Sequence, residues 1–210
     1  EAAKEVATKF IADRPDDNIG LVVFAGESFT QCPLTTDHGV LINLLNAVKF
    51  GVIEDGTAIG LGLANAVNRI KDSQAKSKVI ILLTDGSNNR GDIAPLTAAE
   101  ISKKFGIRVY TIAVGRHGMA PYPFQTPMGI QYQNVPVEID EDVLQQIAKM
   151  TGGSFFRATD NVTLSAIYSE IDQMEKTKLQ VREYKKRNEE SFPYLLTAIV
   201  LLILEILIRN

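Results

Sequence analysis

The sequence predicts an α/β fold in which a mainly parallel, doubly wound sheet lies between two layers of helices. Two observations lead to this prediction. Apolar runs rich in Val, Ile and Leu alternate with segments of helical periodicity, and the runs are apolar throughout rather than at every second residue. Parallel strands covered by helices on both faces have this pattern. In such a sandwich, the binding site is expected at the carboxyl ends of the strands.

The first half of the chain predicts three helices and two strands. In order, they are the helix EAAKEVATKFIAD, the buried strand IGLVVFA, the edge strand FTQCPL, and the helices VLINLLNAVKF and AIGLGLANAVNRIKDS. Apolar residues at spacings of three and four indicate the first helix. Pro33 favours an edge position because proline cannot donate to a central ladder. Thr36 or Asp37 is the predicted N-cap of the second helix. The glycines of GLGLANA indicate close helix packing, since the strand and third glycine of a dinucleotide fingerprint are missing.

The second half of the chain continues the alternation. Its predicted elements are the strand VIILL, the helix LTAAEISKKFG, the strand IRVYTIAVG, the helix DEDVLQQIAKMTGG, the strand SFFRA and the helix NVTLSAIYSEIDQMEKTKL. The acidic first turn and the terminal glycine of DEDVLQQIAKMTGG are typical of a helix start and a helix end.

Residues 116–138 interrupt this rhythm, because they are too many for an ordinary βα connection. PMG, flanked by FQT and IQYQN, predicts a two-stranded flap at the carboxyl edge of the sheet. Its exposed-looking Tyr122, Phe124 and Tyr132 favour a role in partner recognition. A variable surface loop without that role is the alternative.

Composition excludes several classes of protein. The chain has 210 residues, of which 45% are hydrophobic, which is enough for one ordinary core. Its 22 Lys and Arg residues balance 25 Asp and Glu residues without a basic stripe in residues 1–170, so nucleic-acid binding is not expected. Cys32 is the only cysteine, which excludes an intrachain disulfide and a thiolate metal site and favours a packed side chain. Neither His38 nor His117 suggests a Ser-His-Asp arrangement.

Asp85 directly follows the most apolar run in the globular part of the chain. The structural interpretation is that Asp85 forms a turn, since Asp-Gly is common where a strand ends. The functional interpretation is a ligand for Mg²⁺, which prefers oxygen atoms and retains bound water. Thr57, in IEDGTAIG, offers a second oxygen at the start of a helix, where the alternative role is an N-cap.

The order of DGT, an apolar strand and TDG resembles the second and third parts of a metal-ion-dependent adhesion site in von Willebrand factor A domains. Longer runs resemble the BatA-type proteins of bacterial aerotolerance operons: IGLVVFAGESFTQCPLTTD, IEDGTAIGLGLANAVNRIKDS, KVIILLTDGSNNRGDI and VYTIAVGRHGMAPYPFQTPMG. The resemblance covers residues 1–178 and implies Thr57 and Asp85 as ligands of a divalent cation, usually Mg²⁺.

One part of the family pattern does not occur in this sequence. The Asp-x-Ser-x-Ser motif and the central strand that carries it are missing, so we expect an N-terminally truncated domain. Two buried strands, beginning at Ile19 and Val79, are then expected to lack a neighbour. The same expectation implies that this chain alone binds Mg²⁺ weakly or not at all and is unstable beside the longer parent protein.

The end of the chain predicts a membrane anchor. Residues 176–190 hold six cations and three acids, and FPYLLTAIVLLILEILI follows. Its 12 Phe, Leu, Ile and Val residues favour insertion by about 4–7 kcal/mol, against about 3 kcal/mol for Glu205. The predicted divisions are a globular domain (1–178), a basic linker (179–191) and a transmembrane helix (192–208). A core helix is the alternative for the last segment.

The functional expectation is a membrane-anchored interaction module, without enzymatic activity, in a bacterial cytoplasmic membrane. A cation held by hydroxyls and one carboxylate keeps positive charge and can accept an acidic residue from a partner. Family resemblance implies a MoxR-type AAA+ ATPase and other Bat proteins as partners, and the basic linker favours the cytoplasmic side. The alternatives are a metal-independent structural scaffold or a Mg²⁺-dependent hydrolase. A hydrolase needs a second acid at a strand exit, where only Glu27 is available.

Overall fold

The structure is a computed structural model that describes residues 2–49, 51, 54–115, 118–126, 129–137, 139–176, 194–197, 201 and 205. The chain divides into two compact units, Glu1–Ser169 and Glu170–Asn210. Most of the predicted transmembrane segment, 192–208, lies outside the described residues. Among the residues that are described, no helix has the length and apolar character needed to cross a membrane.

Helices and strands alternate as the sequence predicts. The helices are α1 (Ala2–Ala12), α2 (His38–Ala47), α3 (Ile59–Ile70), α4 (Pro95–Lys104), α5 (Glu141–Thr151) and α6 (residues 161–176). The strands are β1 (Ile19–Phe24), β2 (Ser28–Thr35), β3 (Val79–Thr84), β4 (Arg108–Val114), β5 (Gly118–Thr126), β6 (Gly129–Val137) and β7 (Phe155–Ala158).

Several predicted helix ends are confirmed. The carboxylate of Asp37, a predicted N-cap, accepts from the Val40 amide at the start of α2. At the start of α5 the structure adds a cap that was not predicted, the carboxylate of Asp140, which accepts from the Val143 amide. Gly152 ends α5 in the left-handed conformation, with φ of 75°. Each cap uses a residue whose local preference favours that backbone position.

The strands form three separate sheets rather than one continuous sheet. β3, β4 and β7 are parallel, with β4 in the centre, while β1 pairs antiparallel with β2 and β5 with β6. Within the described part of the chain, β1 and β3 do not pair with each other. The α/β architecture with a parallel sheet is therefore confirmed, but the described sheet is divided between β1 and β3.

Burial follows from this division. In β4, residues 109–113 are all buried, whereas β3 buries only Leu82 and Thr84, and β1 is half-buried along most of its length. β1 and β3, which the sequence predicts as buried strands, are therefore only partly buried. The physical reason is that β4 has a neighbour on each edge and contacts α4 and α5. β1 and β3 each present an edge with no strand partner among the described residues.

Helix α3 joins the β1–β2 pair to the β3–β4–β7 sheet, because it contacts β1, β2, β3 and α4. Its close approach depends on two glycines. A Cβ atom on Gly60 would lie 1.9 Å from the Ile93 carbonyl oxygen, and one on Gly62 would lie 2.8 Å from Phe24 Cγ. The packing role predicted for GLGLANA is therefore confirmed.

Two hydrophobic clusters lie on either side of the β1–β2 pair. Gln31 donates to the Leu44 carbonyl in α2 (3.0 Å), while the adjacent Thr30 donates to Asn65 in α3 (3.3 Å). The pairing register of β2 shifts at Gln31, which leaves both Gln31 and Cys32 on the α2 side, and β2 contacts both helices. On the α2 side, Ile11, Cys32 and Leu41 form the smaller cluster, as expected for a packed cysteine. Burial, followed by the nearby charge of Asp37, raises the pKa of the Cys32 thiol.

We predict that Gly60→Ala destabilises the fold by at least about 2–3 kcal/mol, because its Cβ meets backbone that cannot move aside locally. Gly39→Ala in α2 is the matched control, since its Cβ meets only Asp37 Oδ1 at 3.4 Å. Replacing a helical glycine that has this much space with alanine should raise the free energy of unfolding by about 0.5–1 kcal/mol. Urea unfolding of both variants checks the difference, and equal effects would contradict the packing role of Gly60.

Tyr168 provides a second test, at alkaline pH. Its ring contacts the Phe10 ring of α1 at a centroid distance of 4.6 Å, and burial raises the pKa of its hydroxyl from 10.0 to about 12. The unfolded chain therefore releases this proton first, and stability present below pH 10 is lost as the pH rises to 12. Relative to Tyr168→Phe, the wild type should lose about 1.4 kcal/mol of its free energy of unfolding for each pH unit between pH 10 and pH 12. Unfolding at pH 9 and pH 11 measures this; a constant difference would refute it.

Candidate functional site

The loop that precedes α3 lies against the end of β1. We call residues 54–58 the bridging loop. The Ala58 amide donates to the Ala25 carbonyl (2.7 Å), and the Gly26 amide donates to the Glu54 carbonyl (2.9 Å). A Cβ on Gly26 would lie 2.8 Å from that same Glu54 oxygen, so the contact requires glycine. The bridging loop is thereby fixed to the exit of β1.

The same loop also contacts the segment that leaves β3. We call residues 85–92 the strand-exit loop. The Thr57 amide donates to Asn89 Oδ1 (2.8 Å), and the Thr57 carbonyl accepts from the Asn89 amide (3.0 Å). Asn88 Oδ1 accepts from the Gly60 amide in the first turn of α3 (3.3 Å). The exits of β1 and β3 are therefore connected through the bridging loop, although the two strands do not pair.

These contacts bring the two predicted site residues into neighbouring positions. A Cβ on Gly86, the residue after Asp85, would lie 2.9 Å from Thr57 Oγ1. Thr57 is half-buried, whereas Asp85 is exposed at the end of β3. Among the described residues, neither the Thr57 hydroxyl nor the Asp85 carboxylate has a hydrogen-bond or ion-pair partner. Both oxygens are available at one edge of the sheet.

The interpretation of Thr57 as an N-cap is wrong. The N-cap of α3 is Ala58, whose side chain makes no capping hydrogen bond. Asn88 and Asn89 supply the oxygen acceptors instead, from a different loop. Sequence reasoning missed both asparagines. Their only signal is their residue type, since asparagine side chains bond readily to nearby backbone amides.

The chemistry of this edge is that of oxygen donors. Hydroxyl and carboxylate oxygens suit a hard cation such as Mg²⁺, so Thr57 and Asp85 fit the predicted ion in kind. Within the described residues, no group of three or more His, Cys, Asp or Glu side chains could hold a metal. The donors therefore comprise a hydroxyl and a carboxylate rather than an acidic cluster.

Comparison with known proteins identifies the family. A family profile described as von Willebrand factor type A domain matches residues 1–170, most of the chain. The chain belongs to this family. Its vWA domain thus agrees with the resemblance found in the DGT and TDG segments.

Solved structures with similar sequences include two Bacteroides proteins. An aerotolerance-related membrane protein from Bacteroides fragilis is 28% identical, with a TM-score of 0.70 and coverage of 82% of this chain and 86% of that one. BatB from Bacteroides thetaiotaomicron is 29% identical, with a TM-score of 0.67 and coverage of 83% and 87%. The resemblance of this vWA domain to aerotolerance proteins is therefore confirmed.

Curated relatives are longer than this chain. An uncharacterized protein from Borreliella burgdorferi is 28% identical over 183 residues, or 87% of this chain and 54% of its own length. A UPF0353 protein from Mycolicibacterium paratuberculosis is 29% identical over 82% of this chain and 53% of its own length. The chain therefore spans about half the length of these curated relatives.

A long hairpin extends the vWA domain between β4 and α5. β5 and β6 pair without interruption from Gly118↔Val137 at the base to Thr126↔Gly129 near the tip. The predicted two-stranded flap is therefore confirmed in its backbone. The side chains of Tyr122, Phe124 and Tyr132, to which we attributed partner recognition, lie outside the described part of the structure.

Arg157, which sequence reasoning also missed, connects the two ends of this hairpin. Its guanidinium donates to the Gly115 carbonyl (3.2 Å), before β5, and forms an ion pair with Glu141, after β6. The Glu141 amide donates to the Ile139 carbonyl (2.9 Å), which holds the returning chain close to this pair. One side chain on β7 therefore contacts both stems of the hairpin.

We predict that Arg157→Gln increases hydrogen exchange in the hairpin, because glutamine cannot maintain the ion pair with Glu141. Exchange measured by mass spectrometry should rise in peptides covering 118–137 and remain unchanged in 79–84. Arg108→Gln is the matched control, since Arg108 lies at the opposite end of the sheet and donates to Ser77 Oγ (2.6 Å). Unchanged hairpin exchange in Arg157→Gln would show that this residue does not restrain the hairpin.

Proposed function

We propose that this vWA domain, in the intact protein, is a protein-interaction module that binds a divalent cation with Thr57 and Asp85 among its ligands and, through the cation, an acidic residue of a partner. The observation that carries the proposal is the position of the Thr57 hydroxyl against the residue that follows Asp85. A Cβ on Gly86 would lie 2.9 Å from Thr57 Oγ1. The loops that bear the two oxygens therefore meet at the carboxyl edge of the sheet, where α/β folds bind ligands.

The charge of the site supports recognition of an acid. When bound, Mg²⁺ supplies a compact positive charge that prefers about six oxygen ligands and retains water. One carboxylate and neutral hydroxyls compensate only part of that charge. A Glu or Asp side chain of a partner can then replace a water and complete the coordination. Asp85 supplies a charged oxygen ligand that attracts the ion, and Thr57 supplies a neutral oxygen ligand.

The cellular setting is proposed from resemblance and from the tail. The vWA domain comprises residues 1–178, and a basic linker (179–191) connects it to a helix (192–208) that spans the bacterial cytoplasmic membrane. The basic linker supports placement of the domain on the cytoplasmic side. The similarity to an aerotolerance-related membrane protein from Bacteroides fragilis supports the membrane setting. The partners we propose are a MoxR-type AAA+ ATPase and other Bat proteins, which act with the domain in stress tolerance rather than through catalysis by it.

A metal-independent scaffold is the second candidate. The observation that favours it is the lack, among the described residues, of a group of three acidic or imidazole side chains around one point. Under this alternative, Asp85 serves only as a polar strand exit. Cation binding and partner binding should then respond independently to substitutions in the site.

We predict that Asp85→Asn and Thr57→Val each weaken Mg²⁺ binding by at least about tenfold, which corresponds to 1.4 kcal/mol. Each substitution removes one oxygen ligand or its charge while nearly preserving side-chain volume. Competition against Mn²⁺, detected by electron paramagnetic resonance in the full-length protein, measures the affinity. Asp92→Asn, an exposed carboxylate in the strand-exit loop, is the control for the same change of net charge and should have no effect.

Capture of an acidic partner peptide on the immobilised protein should depend on Mg²⁺ and be lost in Asp85→Asn. If the cation binds but capture persists in that variant, the scaffold alternative holds. Equal Mg²⁺ affinity in all three variants and the wild type would refute the assignment of Thr57 and Asp85. Phosphatase activity that requires Asp85 would instead establish an enzyme.

A further inference from the structure

We infer that Asn88 and Asn89 are positioning residues of the candidate site: Asn88 satisfies the first turn of α3 in place of Thr57, Asn89 holds the Thr57 backbone, and together they leave the Thr57 hydroxyl available to a cation. This inference rests on the proposed function, because it concerns the same hydroxyl. It assigns a task to two side chains that belong to neither the DGT nor the TDG segment.

The first turn of α3 lacks a cap of its own. A helix begins with amides that have no acceptor within the helix, and a Ser, Thr, Asp or Asn at the N-cap usually supplies one. Here the N-cap is Ala58, which has no side-chain acceptor. Asn88 Oδ1, from the strand-exit loop, accepts from the Gly60 amide at 3.3 Å. The acceptor therefore comes from a loop that leaves another strand.

Thr57 is the residue that would otherwise perform this function. An N-cap hydroxyl accepts from the amide two or three positions further along the helix. From Thr57, the third position is Gly60, whose amide Asn88 already occupies. Asn88 and the Thr57 hydroxyl therefore compete for the same donor. Because Asn88 occupies it, Thr57 Oγ1 remains free of capping and lies beside Gly86.

Asn89 fixes the backbone of Thr57 in the position that this arrangement requires. Its side chain accepts from the Thr57 amide (2.8 Å) while its own amide donates to the Thr57 carbonyl (3.0 Å). The Arg90 amide adds a second donor to that carbonyl (3.3 Å). Both polar groups of the Thr57 main chain are thus bound to the strand-exit loop. The hydroxyl is the one polar group of Thr57 that remains for a ligand.

Glycine at two positions makes this contact possible. Gly56 has φ of 134°, and a Cβ there would lie 2.4 Å from Arg90 Cγ. A Cβ on Gly86 would press on Thr57 Oγ1. The bridging loop and the strand-exit loop therefore approach more closely than side chains at either glycine would permit. The asparagines maintain this approach with hydrogen bonds rather than apolar contact, which suits a partly exposed edge.

The experiment compares Asn88→Ala with Asp37→Ala in the full-length protein. Asp37 caps α2, away from the site, through a hydrogen bond to the Val40 amide. Asp37→Ala loses its cap, and its Tm should fall by about 2–4 °C for a domain of this size. The Tm of Asn88→Ala should fall by less, because the Thr57 hydroxyl replaces the lost acceptor. Only Asn88→Ala should also weaken Mn²⁺ binding, by about tenfold or more, because Thr57 Oγ1 turns to the vacated Gly60 amide. Asn88→Asp, which keeps the acceptor, should retain the affinity.

A thermal cycle with Thr57→Val tests the competition without any cation. In the wild type, Thr57→Val should change the Tm by less than about 1 °C, since the hydroxyl makes no described hydrogen bond. In the Asn88→Ala background, Thr57→Val should lower the Tm by a further 2–4 °C or so (about 1 kcal/mol), because there the Thr57 hydroxyl has become the cap of α3. Additive effects on Tm would overturn the inference, as would unchanged Mn²⁺ affinity in Asn88→Ala.

The two proposals fail in different ways. If the wild type binds no Mn²⁺ or Mg²⁺, the proposed function is wrong, and the cycle of Tm values still decides whether Asn88 displaces Thr57 from capping. If the wild type binds the cation and the cycle is additive, the cation site stands and the positioning role is refuted. Non-additive Tm values together with a selective loss of affinity in Asn88→Ala support both.

Discussion

The structure depends on how the first turn of α3 satisfies its backbone amides while the loop before it connects two sheets. β1 and β3 do not pair within the described residues, so their relative position relies on α3 and the bridging loop. That loop bonds to the exit of β1 through Ala58 and Gly26 and to the strand-exit loop through Thr57. A change in this turn therefore affects the sheets and the candidate site together.

Gly60 has two roles, one in the packing of α3 and one in its hydrogen bonding. Its missing side chain lets α3 approach the Ile93 carbonyl, and its amide is the donor that Asn88 caps. A larger residue would push α3 away and lengthen the hydrogen bonds that hold Thr57. The apolar run that ends at Asp85 has a related consequence. This apolar run holds β3 in the sheet, and the Asp85 carboxylate at its end stays exposed. Among the described residues, no ion pair neutralises the charge of that carboxylate.

The β5–β6 hairpin is a second feature at the carboxyl edge of the parallel sheet. β4 is the most buried strand, and it leads directly into the hairpin through Gly115. Arg157 and Glu141 connect the two stems to β7 and α5. The base of the hairpin is thus fixed by charge and hydrogen bonding.

The sequence by itself determined the alternation of strands and helices, the caps at Asp37 and Gly152, and the hairpin in residues 116–138. These features follow from periodicity and from local backbone preferences, which act over a few residues. It also identified Thr57 and Asp85 as candidate ligands, because their segments resemble a known pattern. Only the tertiary structure decided that Ala58 rather than Thr57 is the N-cap and that Asn88, Asn89 and Arg157 connect the loops. These contacts join residues 28, 32 and 42 positions apart, a separation over which neither periodicity nor propensity carries information.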